Sequence, residues 1–245
     1  MKRTLKLISI NIEIDRHLDA VESFLAKEQP DVACIQELPV SDIERIGKAM
    51  NAPYHVYAPM TRWLDPHEVI GVGIFSTRPF VSQSVGYYRG NAENIQDLDS
   101  TSVEASNRTK NLALVSAEIE KEGTRFQVAT THFTWNPDGE ADDFQREDIQ
   151  KLLALTERFP ELVLAGDFNA PRGKEIFEIL RKRYTDNIPP EYTTSIDGNF
   201  HRRGQLNMMV DGLFTSKGYQ ASNVRLQFGV SDHAGIVADI EKVTV

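Results

Sequence analysis

The stretch Leu162-Val163-Leu164-Ala165-Gly166-Asp167-Phe168-Asn169 decides how this chain is read. Its opening apolar run has no polar alternation, as expected of a strand buried on both faces. It then stops at a glycine and a carboxylate, with an amide two residues on. A rigid buried strand whose end hands polar side chains to a loop is how a scaffold positions chemistry.

Working outward, the same arrangement recurs. Asn11 closes the strand-like segment 5–12, and Glu37 closes the short apolar run Val32–Ile35. His132 follows Val128-Ala129-Thr130-Thr131. Asp232 and His233 precede the last strand, near 236–240. Asp211 lies inside the apolar run Met208–Phe214, where a carboxylate needs a partner or suffers heavy desolvation. Singly, each has a structural alternative. Asn11 could be a turn residue and Glu37 an exposed strand end. Asp167-Phe168-Asn169 could be a helix-entry turn, and His132 a satisfied core histidine. Asp232-His233 alone carries little information.

The remaining pattern is strand-rich. Strands are expected near 54–58, 69–76, 81–88, 111–120, 125–131, 206–215 and 219–227. Lys121-Glu122-Gly123 marks a hairpin turn. Helices are expected at 18–28, at 142–158, at about 173–183, and after the capping box Ser41-Asp42-Ile43-Glu44 as far as about Met50. Residues 89–107 read as a long surface loop and 184–204 as irregular. There is no repeat and no composition shift. The expectation is one α/β domain over residues 1–245, with large mixed or antiparallel sheets, and a two-sheet core flanked by helices fits.

With 245 residues and 40% hydrophobic content the chain can bury a sizeable core. Lys plus Arg total 27 against 36 Asp plus Glu, a net charge of −9, which argues against a general duplex-coating protein. One cysteine rules out an internal disulfide and suggests a reducing, cytoplasmic setting. The segment after Met1-Lys2-Arg3-Thr4 is too short and polar for a secretory signal, and no run approaches the ~20 apolar residues of a membrane span.

Together the strand-end residues form a specific chemistry. Glu37 is a hard oxygen ligand with Asn11 as a neutral second, a pair suited to Mg²⁺ or Mn²⁺. There is no Cys/His cluster of zinc type. His233 needs an orienting carboxylate, and Asp211 is the best candidate. Asp167 and Asn169 could hold and deprotonate a water, and His132 could donate to a phosphate oxygen. Such a set suits phosphoester hydrolysis.

Ser9-Ile10-Asn11, Ile35-Gln36-Glu37, Gly71–Ser76, Thr131-His132-Phe133, Gly166-Asp167-Phe168-Asn169, Val210–Leu213 and Ser231-Asp232-His233 resemble, in order, the motifs of the endonuclease/exonuclease/phosphatase family. The resemblance implies a four-layer α/β sandwich: two mixed, mainly antiparallel sheets face to face with helices outside. It implies Asn11, Glu37 and Asp232 at the metal site and Asp167 as the water-activating carboxylate, positioned with Asn169. It further implies His132 as a phosphate contact and His233 bonded to Asp211.

Substrate choice in this family resides in loops, here 59–70, 89–110, 134–141, 170–174 and 184–205. Trp63, Tyr87, Tyr88, Phe133, Trp135 and Phe200 lie in or beside them and could stack on bases or simply pack. Arg62, Arg89, Arg108, Lys110, Arg172, Lys174, Arg202 and Arg203 could rim a phosphate site, Arg108 foremost. The acidic balance favours short or single-stranded nucleic acid, or a nucleic-acid end, over a long duplex. A small phosphoester or lipid head group is the alternative substrate. A non-catalytic binding module on the same fold is the alternative class. No obligate protein partner is evident.

Overall fold

Along the first strand Leu5, Leu7, Ser9 and Asn11 fall on one face, and Ile8 and Ile10 on the other. The two faces enter different cores. Leu5 and Leu7 join a cluster shared by both sheets, whereas Ile8 and Ile10 pack beneath two helices. That split generates the layers. The computed structural model describes residues 4–65 and 67–243. Met1–Arg3 of the N-terminal reading and Pro66 of the 59–70 loop lie outside them.

The order of elements is β1 (Thr4–Asn11), α1 (Leu18–Glu28), β2 (Val32–Pro39), α2 (Ile43–Met50), β3 (Tyr54–Leu64), β4 (His67–Ser76) and β5 (Phe80–Arg89). There follow α3 (Val103–Arg108), β6 (Leu112–Lys121), β7 (Thr124–His132), α4 (Asp143–Thr156), β8 (Val163–Asp167) and α5 (Glu175–Arg181). The chain closes with β9 (Thr185–Asp186), β10 (Asp211–Thr215), β11 (Tyr219–Gln227) and β12 (Gly235–Lys242). Six strands form one sheet in the order β11-β12-β1-β2-β4-β3, and six form a second in the order β5-β6-β7-β8-β10-β9. In each sheet one pair is parallel, β1 with β2 and β7 with β8, and the other pairs are antiparallel. This is the expected four-layer α/β sandwich.

α1 and α2 cover the first sheet with Leu18, Val21, Leu25, Ile46 and Met50. α4 brings Ile149, Leu152 and Leu153 to the large cluster, and α5 brings Ile176, Phe177 and Leu180. The inner layer is closed by Leu5, Leu7, Val32 and Cys34 from one sheet with residues such as Val115, Val128 and Val163 from the other.

Several boundaries depart from the sequence reading. The 59–70 loop is largely strand: β3 and β4 continue into a long twisted hairpin with a bulge between Pro59 and Thr61. The capping box does not form. β2 runs to Pro39 and a 3₁₀ turn occupies Val40–Asp42, so Ser41 falls inside the turn and α2 starts without a side-chain cap. Residues 89–107 contain most of α3, capped by Ser102, whose hydroxyl accepts from the Ala105 N–H. Residues 206–210 are not strand, and β10 begins at Asp211 itself.

Candidate active site

Register explains how distant residues converge. In the second sheet His132 lies opposite Asp167, and Asp167 opposite Asp211, across adjacent strands. Opposed residues of paired strands share a face. His132, Asp167 and Asp211 therefore form a row at one end of the sheet, on the face of Thr130. The Thr130 hydroxyl accepts from Gln36 Nε2 of the first sheet at 3.0 Å, so this face looks across the sandwich. β7 and β8 approach closely because residue 166 is glycine. A Cβ there would lie 2.2 Å from the Thr131 carbonyl oxygen.

Across the sandwich, Asn11 ends β1 on the inner face. Its Nδ2 donates to Asp167 Oδ2 at 3.0 Å and to Glu37 Oε1 at 3.3 Å, while its Oδ1 accepts from the Glu13 N–H at 3.1 Å. Glu37 arrives by a different device. Plain alternation from Ala33 and Ile35 would turn it outward, beneath the helices. The pairing with β4 slips between Ile35 and Leu38, and Glu37 adopts φ +54°, inside the left-handed region. This bulge re-aims the carboxylate and returns Leu38 to the outer core. Glu37 Oε1 then lies 3.8 Å from His132 Nε2.

His233 and Asp232 sit in the turn before β12. Residues 195–197 clamp it: the Ala234 N–H donates to the Ser195 carbonyl, and the Asp197 N–H to the Asp232 carbonyl. Ser195 Oγ also accepts from the Val210 and Asp211 N–H groups. One serine thereby sets both halves of a buried pair, His233 Nδ1 and Asp211 Oδ2, 2.7 Å apart. His233 Nε2 lies 3.9 Å from Asp167 Oδ2, and His132 Nε2 lies 3.6 Å from the same oxygen. The other Asp167 oxygen accepts the Asn169 N–H at 2.8 Å. Asn169, at φ +49°, donates its amide to the Phe133 carbonyl. All but one of the expected site residues thus gather at one end of the sandwich. The exception is Arg108, which is exposed, bonded to Glu104 and stacked over Phe144.

The electrostatics divide the two histidines. Burial pushes His132 down to about 4; Asp167 pulls it back upward, and the charges of Lys110 and His233 add to the lowering. Burial opposes charge on His233 too, but Asp211 and Asp167 together raise it well above the usual imidazole range. Burial raises the Asp167 carboxyl, reinforced by Asp211 and countered by the histidines. Burial pushes Asp232 up to about 6, with Glu13 and Glu37 adding to it against the pull of His233.

These residues open onto a cleft of about 640 Å³. Sequence reasoning passed over Glu13, Ile14 and Ser106 on its walls and gave Lys110 no special weight. Lys110 lines the cleft beside Glu37 and His132, and burial holds its ammonium below the usual lysine range. Among the rim cations, Arg62 pairs with Asp97, Arg89 with buried Asp148, Arg172 with Asp186 and Lys174 with Glu140. Lys110 and Arg202 are the two that line the cleft. Of the aromatics, Trp63 and Trp135 do so. Tyr88 and Phe133 are buried, Tyr87 bonds the Pro59 carbonyl, and Phe200 rests on His17.

Glu37 Oε1 and Asp167 Oδ2 both accept from Asn11 Nδ2, and Asp232 lines the same cleft, where burial raises the Asp167 and Asp232 carboxyls. A divalent cation of the oxygen-preferring kind fits that set. Asp167, Asp211 and His233 also offer ligand atoms within 4.8 Å of one another and could hold a metal.

The model of the endonuclease/exonuclease/phosphatase family matches residues 8–233. The chain belongs to this family. Members of the endonuclease/exonuclease/phosphatase family hydrolyse phosphoesters, as nucleases, phosphatases and phosphodiesterases, and generally use divalent metals. Among solved structures, the family protein from Bacteroides vulgatus matches at 15% identity and a TM-score of 0.73, covering 99% of this chain and 100% of its own. The human Nocturnin catalytic domain matches at 17% and 0.69, covering 99% and 96%. A mannosyl-6-phosphatase from Bacteroides thetaiotaomicron matches at 12% and 0.67, covering 96% and 98%. At these identities the likeness is one of fold. Comparison with curated protein sequences gives no match. No helix among the described residues is long and apolar enough to cross a membrane.

Proposed function

We propose that this protein is a Mg²⁺- or Mn²⁺-dependent phosphodiesterase that cleaves short or single-stranded nucleic acid by in-line attack of water. The observation that carries this is Asp167, a buried carboxylate held on one oxygen by Asn169 and flanked on the other by Asn11 and two histidines.

Asn11, Glu37 and Asp232 would hold the ion, which would supply positive charge to the phosphate and the leaving oxygen. Asp167 takes the proton of the attacking water. Its burial makes it a stronger base than an exposed aspartate. Asn169 orients Asp167 through its backbone N–H. His233, held protonated by Asp211, points Nε2–H toward the oxygens that gain charge in the transition state. His132, neutral at pH 7, contacts the phosphate by hydrogen bonding alone. Lys110 supplies the phosphate-facing cation for which the sequence favoured Arg108.

A hydrolysis panel tests this. It holds single- and double-stranded DNA, RNA, bis-p-nitrophenyl phosphate and a sugar phosphate, in Mg²⁺ or Mn²⁺, with EDTA and Asp167→Asn controls. Metal-dependent cleavage of single-stranded nucleic acid that is lost in Asp167→Asn is expected. Turnover persisting in EDTA, or confined to the sugar phosphate, would overturn it.

A further inference from the structure

Past His132 the chain leaves the second sheet but stays buried at Phe133 and Thr134. The Phe133 N–H continues the pairing with β8 by donating to the Asp167 carbonyl at 2.8 Å. Buried carbonyls beyond a strand end still need donors, and side-chain amides supply them here. The Phe133 carbonyl accepts from Asn169 Nδ2 at 3.0 Å, the Thr134 carbonyl from Gln145 Nε2 at 2.7 Å and the Trp135 carbonyl from Asn107 Nδ2 at 3.3 Å. Three successive carbonyls are each held by a carboxamide, one from the loop after β8, one from α4 and one from α3.

Gln145 does more than the other two. It is fully buried, and its Nε2 also donates to the Asn169 carbonyl at 3.3 Å. One amide therefore joins the loop leaving β7 to the loop leaving β8. Its Oε1 has no partner among the described residues. Turned over, that oxygen would face two carbonyls, so the orientation is fixed. Asp148, three residues on along the same face of α4, accepts from the Thr134 hydroxyl and is held by Arg89, which also donates to the Asn107 carbonyl. Asn169 sits at φ +49°, a conformation that persists where its surroundings impose it. Its N–H, its side-chain amide and its carbonyl are each bonded, to Asp167, Phe133 and Gln145.

We infer that Gln145 is a positioning residue of the reacting centre. It holds Asn169 by the carbonyl, and Asn169 in turn holds the Asp167 carboxylate through its own N–H. Its amide acts from α4, behind the loops, and meets neither substrate nor metal. The inference rests on the phosphodiesterase reading for the role of Asp167, and adds to it the group that sets this carboxylate from outside the cleft.

Variants on one helix separate positioning from folding. Gln145→Met keeps the length of the side chain and removes the clamp together with the unpartnered oxygen; Gln145→Leu should behave alike and guards against a misfit of the methionine. The control, Thr156→Val, also removes a buried hydrogen bond from α4, that of the Thr156 hydroxyl to the Leu153 carbonyl, but touches neither loop. Amide hydrogen exchange followed by NMR reads the clamp directly. Relative to Leu164 within β8, exchange at the Asn169 N–H should quicken about ten-fold in the Gln145 variants, the scale of one lost hydrogen bond, and stay unchanged in Thr156→Val. With bis-p-nitrophenyl phosphate and Mg²⁺, the Gln145 variants should also lower kcat about ten-fold and leave KM and the metal-induced rise in melting temperature unchanged. Equal exchange at Asn169 in the Gln145 variants and the control, or a wild-type kcat in the Gln145 variants, would overturn the inference. Because exchange is read without turnover, failure of the hydrolysis panel would sink the phosphodiesterase reading separately.

Discussion

His233 Nδ1 and Asp211 Oδ2 lie 2.7 Å apart, both buried, in segments 22 residues apart that meet through Ser195. Their pairing sets the charge of the site. A histidine raised in the folded state stabilises the protein fully below its unfolded value of about 6.5 and loses that contribution as pH climbs through the folded value. Asp211→Asn should therefore lower stability at pH 6–7 and have less effect at strongly alkaline pH. It should also shift the basic limb of the pH–rate profile downward. Urea unfolding and rate profiles check both, and an unshifted basic limb would break the pair's assigned role.

His132 carries the opposite sign. Its folded value is about 4, so between about 6.5 and 4 the unfolded chain takes up a proton that the folded protein refuses. Stability should fall across that window, and His132→Gln should remove part of the fall. Imidazole NMR offers a direct check: at pH 7 the His132 resonances should be those of a neutral ring and the His233 resonances those of a protonated one.

Glu37→Gln should lower turnover by about 10²–10³, in line with the loss of one charge-stabilising group. It should also abolish the metal-induced rise in melting temperature. In the wild-type protein Mg²⁺ or Mn²⁺ at 100 times Kd should add about 2.7 kcal/mol, and EDTA should remove it. An equal thermal shift in Glu37→Gln would rule out Glu37 as a ligand.

Gly166→Ala places a Cβ 2.2 Å from a backbone oxygen that cannot step aside. Overpacking of this kind costs about 1–3 kcal/mol. Because β7 and β8 must move apart, the His132–Asp167 register is disturbed as well, and activity should fall along with the urea midpoint. A variant of wild-type stability and rate would show the close approach to be dispensable.

Arg89 reaches buried Asp148, which also accepts from Thr134, and stacks over Phe144. Arg89→Met leaves that carboxylate buried without its cation, a change that costs about 3–5 kcal/mol. The double variant Arg89→Met, Asp148→Leu should recover much of the loss. Equal instability of single and double variants would place the effect elsewhere.

Much of the architecture was legible in the chain because it rests on local periodicity. The two-residue alternation Leu5, Leu7, Ser9, Asn11 puts Asn11 on the inner face, and the unbroken run before Gly166 forces a buried strand that ends at Asp167. The same logic marked His132 and the turn at Asp232-His233. It failed where helix or strand signals competed with longer-range packing. Ser41 carries a capping pattern that the continuation of β2 overrides, and residues 59–64 are held in strand by pairing with β4.

By itself, then, the sequence determined which polar residues lie at or beside strand ends and the order in which they occur. Tertiary structure alone decided which of them touch. The Asn11–Asp167 contact joins positions 156 apart. Glu37 reaches the cluster through a bulge at positive φ that no side-chain period encodes. Ser195, with no chemistry of its own, fixes the His233–Asp211 pair. Lys110 rather than Arg108 faces the cleft because α3 ends between them, leaving Arg108 paired to Glu104 on its own helix. A period of two or 3.6 residues tells a side chain which way to point. What it meets there depends on the other sheet.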